Sequence, residues 1–205
     1  MMLDELVFQI EKNDGRVEQI VNVHMQTFQG FFLTFLGRGF LKQLYKGFIA
    51  YEHSNIITAE NENSEVIGFL AYSHDMGGFY KWLIKKKVLF FAWYGLGALC
   101  RNPRCIVRLL RAFLKPAQSR RGEPYIEVAS IGVLPECKNG GVGSQLLKVL
   151  EKSFDSERFA YIALETDAEG NEAANRFYQK NGFTLIREYE TPEGRKMFEY
   201  RYFGE

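Results

Sequence analysis

Apolar residues recur every three or four positions in several stretches of the chain, which is the spacing of one face of an α-helix. These stretches are Val17 to Phe28, about Leu33 to Tyr51, Gly143 to Phe154 and Asn171 to Lys180. Interior glycines cost a helix about 1 kcal/mol each relative to alanine. We therefore expect bends or breaks in and just before the second stretch, at the glycines Gly30, Gly37, Gly39 and Gly47. The last stretch ends at Asn181-Gly182, a typical helix stop.

Shorter apolar runs between turn signals predict strands. They are Leu6 to Ile10, Asn55 to Glu60, Glu65 to Ser73, Tyr125 to Leu134, Ala160 to Leu164, Phe183 to Tyr189 and Lys196 to Phe203. The second and third runs flank a polar turn, and the last two flank Pro192-Glu193-Gly194, so each pair is predicted to form a hairpin. Hairpins come first and strands then alternate with helices. The order predicts an α/β (α+β) fold with a mixed, mostly antiparallel sheet flanked by helices.

Composition narrows the class of protein. A chain of 205 residues can bury a core without disulfides or metal, so one domain is expected, with two small domains as the alternative. Three cysteines without CxxC spacing predict no metal site and fit a reducing cytosol. We expect a cytoplasmic protein, because the start of the chain lacks a secretory signal pattern. The longest uncharged apolar stretch has thirteen residues from Val88, and roughly 18 are needed to span a bilayer.

A glycine-rich loop between the Tyr125 strand and the next helix is the most informative segment. It consists of Lys138, Asn139, Gly140, Gly141, Val142, Gly143 and Ser144. Glycines let backbone N–H groups approach an anion, and a helix N-terminus adds partial positive charge, so the loop suits a pyrophosphate. A Walker loop carries a lysine between its last glycine and the following Ser or Thr, whereas here Gly143 is followed directly by Ser144. Leu146 weakens a dinucleotide fingerprint, although Glu165 lies where its ribose-binding acid would fall. A helix start that merely tolerates glycine is the remaining alternative.

Two motifs resemble those of the GCN5-related N-acetyltransferase (GNAT) superfamily. Lys138-x-x-Gly141-x-Gly143 is similar to its [QR]-x-x-G-x-[GA] signature, with a lysine in the first position. The segment Asn171-x-x-Ala174-x-x-Phe177-Tyr178-x-Lys180-x-Gly182-Phe183 resembles its N-x-x-A-x-x-[LF]-Y-x-K-x-G-F motif. The resemblance is close over about Tyr125 to Phe203 and extends to Leu6 to Ser73 only as a compatible order of elements. It implies a single GNAT-like domain, residues 1–205, that uses acetyl-CoA.

The resemblance also implies where acetyl-CoA (coenzyme A) would lie. The cofactor would occupy a cleft opened where the Tyr125 and Ala160 strands splay apart. Its pantetheine amides would pair with the backbone of Ile131, Gly132 and Val133, and its pyrophosphate would sit on the amides of Lys138 through Ser144. Asn171 would form a hydrogen bond with the cofactor, and Ala174 would leave room for its thiol arm.

Acetyl transfer to an amine needs a base and an acid. An ammonium must lose a proton before it attacks a thioester, and the departing thiolate leaves more readily when it is protonated. The resemblance implies Tyr178 as the acid, with an aromatic of the core as the alternative. Glu127 falls where the histone-acetylating branch carries its glutamate, so it is the candidate base. Ordered water, Glu165 and Asp167 are alternatives for the base, and Glu127 would then be only a solvated carboxylate of the strand. A backbone amide near Val133 would stabilise the oxyanion.

Residues 76–121 form an insert of unusual charge. It contains eleven Lys and Arg residues, no Asp or Glu, and both tryptophans, Trp82 and Trp93. The rest of the chain then holds 15 cations against all 25 acids, a formal charge of −10 that the near-neutral total conceals. Within the insert, Ile106 to Phe113 has one apolar and one basic face, which predicts an amphipathic helix.

The insert has three interpretations. It is a helical lid with solvated cations, an acceptor pocket for an anionic substrate, or a surface for peripheral contact with an anionic membrane. No nucleic-acid-binding module is recognisable, so no nucleic-acid partner is expected. We predict an N-acetyltransferase acting on a small-molecule amine, for example an amino sugar or a nucleotide-linked sugar. A non-catalytic CoA-binding or membrane-docking module with the same fold is the alternative, and the oligomeric state is left open.

Overall fold

A computed structural model describes residues 6–86, 122–192 and 194–204. Helices and strands alternate along these ranges in an order close to the predicted one. The strands are β1 (Val7–Ile10), β2 (Ser54–Glu60), β3 (Val66–Ser73), β4 (Ile126–Val133), β5 (Ile162–Asp167), β6 (Thr184–Glu190) and β7 (Lys196–Tyr202). The helices are α1 (Val17–Thr27), α2 (Phe32–Phe35), α3 (Arg38–Ala50), α4 (76–86), α5 (Val142–Lys152) and α6 (Glu172–Lys180).

The seven strands form one sheet in the order β1-β2-β3-β4-β5-β7-β6. Neighbouring strands are antiparallel except β4 and β5, which run parallel and are joined through α5. The predicted mixed, mostly antiparallel sheet is therefore confirmed. The fifth strand differs from its prediction, because it begins at Ile162 and continues through Glu165 to Asp167. Those polar residues pair through their backbone with β7, and such pairing does not require apolar side chains.

Two hydrophobic clusters cover the two faces of the sheet. On one face, α1, α3 and α4 pack against side chains of β2 and β3 that include Phe69 and Ala71, and we call this set the α1/α3 cluster. On the other face, α5 contributes Leu146, Leu147 and Leu150 to a cluster with residues of β4, β5 and β7. Because α6 packs at its edge, we call this set the α5/α6 cluster. Each face of β4 is thus approached by a different set of helices.

The expected breaks occur at two of the four glycines. Gly30 and Gly37 lie between helices with φ angles of 82° and 86°, which are unfavourable for other residues, but α3 runs unbroken through Gly39 and Gly47. A Cβ at Gly47 would lie 2.5 Å from Leu83 Cδ1 of α4. The helix-breaking tendency of Gly47 is overridden because its missing side chain lets α4 pack closely on α3.

Replacing Gly47 by valine is expected to lower the free energy of unfolding by about 2 kcal/mol, because added carbons overpack this helix contact. The measurement is urea unfolding followed by circular dichroism. The matched control is the same change in a Leu83→Ala background, where the smaller side chain leaves room and the extra loss should vanish. An equal loss in both backgrounds would show that the contact with Leu83 is not its cause.

Only the start of the insert lies in the described ranges. Its first helix, α4, buries Met76, Phe79 and Leu83 in the α1/α3 cluster and exposes Lys81, Lys85 and Lys86. This part matches the interpretation of a packed helical element with solvated cations. The predicted amphipathic helix from Ile106 to Phe113 falls outside the described residues. No helix of the described ranges is both long and apolar enough to cross a membrane.

Candidate functional site

The sheet opens between β4 and β5. These strands pair at only three positions, the last joining Val128 to Leu164. Beyond that point β4 continues to Val133 beside β3, and β5 continues to Asp167 beside β7. The opening is the cleft predicted between these strands. Its β4 wall is a strand edge formed by 129–133, the kind of edge that offers backbone N–H and C=O groups to another molecule.

A β-bulge lies where the strands separate. Tyr72 pairs with Val128 and Ala71 pairs with Ser130, so Ala129 is an extra residue in β4. A bulge bends its strand and increases the local twist, which turns β4 away from β5. Ala129 is exposed at this point. The bulge therefore brings exposed β4 backbone to the apex of the cleft.

The glycine-rich loop lies at the wide end of the cleft and leads directly into α5. Asn139 and Gly141 adopt positive φ angles of 64° and 81°, and α5 starts at Val142. No side chain caps this N-terminus. The first N–H groups of a helix have no partner within the helix, so they are available to an acceptor such as a phosphate. Lys138, Asn139 and Gly140 are exposed beside them.

Gly143 allows α5 and α6 to approach each other. A Cβ at this position would lie 3.1 Å from the Phe177 ring of α6 and 3.8 Å from Val133 Cγ2 of β4. From the sequence, this glycine was predicted to let backbone N–H groups approach a phosphate. The structure adds a packing role that fixes the Phe177 ring beside the first turn of α5.

The start of α6 follows the end of β5 on the opposite wall. Asn171 Nδ2 donates a hydrogen bond to Thr166 Oγ1 at 2.6 Å, and the Asn171 carbonyl accepts from the Asn175 amide. Ala174 is half-buried one turn later. Asn171 is thus held at the end of β5, on the β5 side of the cleft, and Ala174 follows it on α6.

Tyr178 packs among aromatic rings at the edge of the α5/α6 cluster. Its ring centroid lies 5.3 Å from that of Phe177, 5.8 Å from that of Tyr200 and 6.2 Å from that of Phe183. Its hydroxyl makes no hydrogen bond with any residue of the described ranges. Burial, together with the neighbouring Tyr200, raises the pKa of Tyr178 to about 12. The hydroxyl therefore carries its proton at neutral pH, as a general acid must.

Glu127 belongs to a group of tyrosines and carboxylates on the other face of the sheet. It lies on β4 at the second of the paired positions and accepts a hydrogen bond from the Tyr125 hydroxyl at 3.0 Å. Glu165 of β5 accepts one from the Tyr189 hydroxyl at 2.6 Å. Burial and the charges of both carboxylates raise the pKa of Tyr80 on α4. Five side chains therefore surround this end of the cleft, four from α4, β4, β5 and β6 and one from the residue before β4.

Sequence reasoning found Glu127 and Glu165 but missed the three tyrosines. Tyr125 could have been found, since it lies two positions before Glu127 in the predicted strand Tyr125 to Leu134 and so on the same face. Tyr80 and Tyr189 are brought in by contacts across the fold. Asp167, the remaining alternative base, forms an ion pair with Arg195 at 2.6 Å, which favours a structural role. No metal-binding cluster of His, Cys, Asp or Glu occurs in the ranges described.

Comparisons with known proteins agree on one family. The family model described as the acetyltransferase (GNAT) family matches residues 18–183. No curated protein matches the chain by sequence. Among solved structures, one described as a GNAT-family acetyltransferase from Desulfovibrio desulfuricans has 14% identity and a TM-score of 0.62, covering 96% of this chain and 97% of its own.

Two further structures share the fold over nearly their whole length. NAA60 from Arabidopsis thaliana, in complex with acetyl-CoA, is 15% identical with a TM-score of 0.59, covering 97% of this chain and 98% of its own. Spermidine N-acetyltransferase from Vibrio cholerae is 13% identical with a TM-score of 0.57, covering 98% and 94%. At these identities the likeness concerns the fold.

Proposed function

This chain belongs to the acetyltransferase (GNAT) family and is an acyltransferase that uses acetyl-CoA; from that premise we propose that its acceptor is the amine of a small molecule. The observation that carries the proposal is the opening between β4 and β5, with the uncapped start of α5 at one end and Glu127 and Tyr178 on its two faces. This arrangement supports the proposal, because it would offer an anion site, a strand edge, a base and an acid around one cleft.

The residues that would hold the donor line one continuous path. The amides of Lys138 through Ser144 would bind the pyrophosphate, since the start of α5 lacks a side-chain cap. The backbone of Ile131, Gly132 and Val133 would pair with the pantetheine amides along the β4 edge. Asn171 and Ala174 would flank the thiol arm from the β5 side. Acetyl-CoA supplies the activated acetyl group, and the protein orients it.

Glu127 and Tyr178 serve different steps because they approach from opposite faces. Glu127 lies on the face that α4 covers, near Tyr80, so it would take the proton from the acceptor ammonium, directly or through water. Tyr178 lies on the α5/α6 face and would protonate the departing thiolate. The hydrogen bond from Tyr125 would keep the Glu127 carboxylate oriented. A backbone amide of β4 near Val133 would stabilise the oxyanion.

Replacing Glu127 by glutamine is expected to reduce kcat/KM for the amine by about 100-fold at pH 7, within the range typical of a lost general base. The loss should shrink as the pH rises toward the pKa of the amine, because the free amine then no longer needs the base. The measurement is the pH profile of kcat/KM from pH 6 to 10. Glu165→Gln and Asp167→Asn are the controls for the other carboxylates. A profile parallel to that of the wild type would place the base elsewhere.

The acceptor class is tested by CoA release from acetyl-CoA in the presence of glucosamine, spermidine or a tetrapeptide with a free α-amine. We expect turnover with at least one of the two small amines. Turnover with the peptide alone would overturn the proposal of a small-molecule acceptor. CoA binding without turnover on any amine would favour the alternative of a binding module.

A further inference from the structure

His24 and Tyr45 form a buried polar pair beneath the face of the sheet that carries Glu127. His24 of α1 and Tyr45 of α3 are only 2% and 1% exposed. The Tyr45 hydroxyl lies 2.6 Å from His24 Nδ1. Burial lowers the pKa of His24 to about 4, so its imidazole is neutral at pH 7. Burying polar groups costs free energy, and apolar residues would fill this space without that cost, so the pair calls for a role beyond packing.

Ser130 connects this pair to the cleft. It follows the extra residue of β4, Ala129, and pairs with Ala71 of β3. Ala71 and Tyr45 both belong to the α1/α3 cluster, and directly paired residues share a face, so the Ser130 side chain lies on the Tyr45 side. A hydrogen bond with Ser130 counteracts the rise that burial causes in the pKa of Tyr45. Ser130 itself is partly exposed, on the edge of β4 that β5 leaves uncovered.

The direction of these hydrogen bonds follows from His24. Its Nε2 has no partner among the described residues, so the contact of Nδ1 decides which nitrogen carries the proton. An N–H donor lies about 2.7 Å or more from an oxygen, whereas hydroxyl donors come closer. The separation of 2.6 Å therefore indicates that the Tyr45 hydroxyl donates to Nδ1, and its oxygen then accepts the Ser130 proton. Serine has one proton and two lone pairs, so the Ser130 oxygen remains as an acceptor.

Ser130 and Glu127 lie on the same face of β4. Their partners on β3, Ala71 and Ser73, are two positions apart and therefore point the same way. Three residues of a strand span about 10 Å, and the bulge at Ala129 shortens that distance. A small group bound to the Ser130 oxygen would thus lie within reach of the Glu127 carboxylate, directly or through one water.

We propose that Ser130 orients the acceptor amine by accepting a hydrogen bond from one of its N–H groups, and that Tyr45 and His24 are positioning residues that fix Ser130 in this role. This inference rests on the proposed function. An ammonium that has given a proton to Glu127 becomes an amine with a lone pair and keeps its remaining N–H groups. With one N–H held by Ser130, the lone pair is directed along the β4 edge, toward the residues proposed to hold the donor.

The first test needs no substrate. Nitrogen-15 NMR of histidine-labelled wild-type protein at pH 7 reports which imidazole nitrogen of His24 carries the proton. The chain has three histidines, so the His24 signals are assigned by exclusion with His53→Gln and His74→Gln. We expect the proton on Nε2, with Nδ1 as the acceptor from Tyr45. A proton on Nδ1 would reverse the chain, turn Ser130 into a donor and overturn the proposal.

The second test compares Ser130→Ala, Ser130→Thr, Tyr45→Phe and the Ser130→Ala/Tyr45→Phe double variant in the intact protein. CoA release is followed with the most active amine of the panel. Ser130→Ala should lower kcat/KM for the amine about tenfold, as expected for one lost hydrogen bond, with KM for acetyl-CoA within twofold of the wild type. Ser130→Thr should restore most of the activity. Tyr45→Phe should cost about threefold alone and nothing further in the double variant, because Tyr45 acts through Ser130.

The matched control is Ser73→Ala, which removes a hydroxyl from the same face of the neighbouring strand. That hydroxyl donates to the His53 carbonyl at 2.9 Å, so kcat/KM for the amine should stay within twofold. The proposal is wrong if Ser130→Ala does the same, if it raises KM for acetyl-CoA as much as it lowers kcat/KM for the amine, or if the Ser130 and Tyr45 losses multiply. Failure of the proposed function looks different, because the wild type would then turn over no amine or Glu127→Gln would keep full activity.

Discussion

Tyr178→Phe lowers kcat by about 100-fold and leaves KM for acetyl-CoA within about threefold of the wild-type value, as expected when a general acid is lost and the ring is kept. Phenylalanine retains the aromatic contacts with Phe177, Phe183 and Tyr200, so the walls of the cleft stay in place. Only the proton donated to the departing thiolate is missing. Steady-state kinetics with acetyl-CoA varied at a fixed amine concentration measures both constants.

The pH dependence gives an independent check on Tyr178. An acid works only while it is protonated, and burial holds the pKa of Tyr178 at about 12. The wild-type rate should therefore show no loss attributable to this group up to about pH 10, and any decline below that pH has another origin. Equal kcat values for the wild type and Tyr178→Phe would leave Tyr178 as an aromatic of the core, the alternative that its spacing on α6 allows.

Gly141→Val is expected to weaken CoA binding by about 100-fold. Gly141 has a φ of 81° and directly precedes α5, and a β-branched residue is strongly disfavoured at such an angle. The loop would have to rearrange, and the N–H groups at the start of α5 would no longer converge on one anion. Calorimetric titration with CoA gives the dissociation constant, and circular dichroism establishes that the fold is retained.

The control for this change is Gly141→Asn. Asparagine tolerates left-handed backbone conformations far better than valine does, so most of the affinity should be kept despite the added side chain. Equal loss in both variants would mean that side-chain bulk, and not backbone conformation, disturbs the site. Unchanged affinity in both would remove the glycine-rich loop from the binding site.

Local signals predicted most of the sheet and the helices. The hairpins β2–β3 and β6–β7 follow from short-range patterns of apolar and turn residues, and both are found. The polar half of β5 was not predictable in this way, because Glu165 and Asp167 are held by pairing with β7, about thirty residues later. The bend or break predicted at Gly47 was wrong for the same reason, since the role of this glycine depends on the approach of Leu83 from a different helix.

The candidate site was predicted best where it is local. The loop from Lys138 to Ser144 is one continuous segment, so its motif and its structure coincide. The surroundings of Glu127 are assembled from α4 and from strands far apart in the sequence, and Tyr80 was visible only as one residue of a basic insert.

The parallel pair β4–β5 divides the chain into two modules with separate constraints. Every segment proposed to touch the acetyl donor begins at β4 or later, whereas α1, α3 and α4 all precede it and cover the face that Glu127 occupies. Changes in α3 and α4 can therefore alter the acceptor with little effect on the donor site, whereas α1 touches that site through the hydrogen bond of 2.9 Å from Thr27 Oγ1 to the Val133 carbonyl. Motifs for a shared donor should persist in the second module while the first diverges. We therefore expect that exchanging the segment before β4 between two such chains transfers acceptor preference.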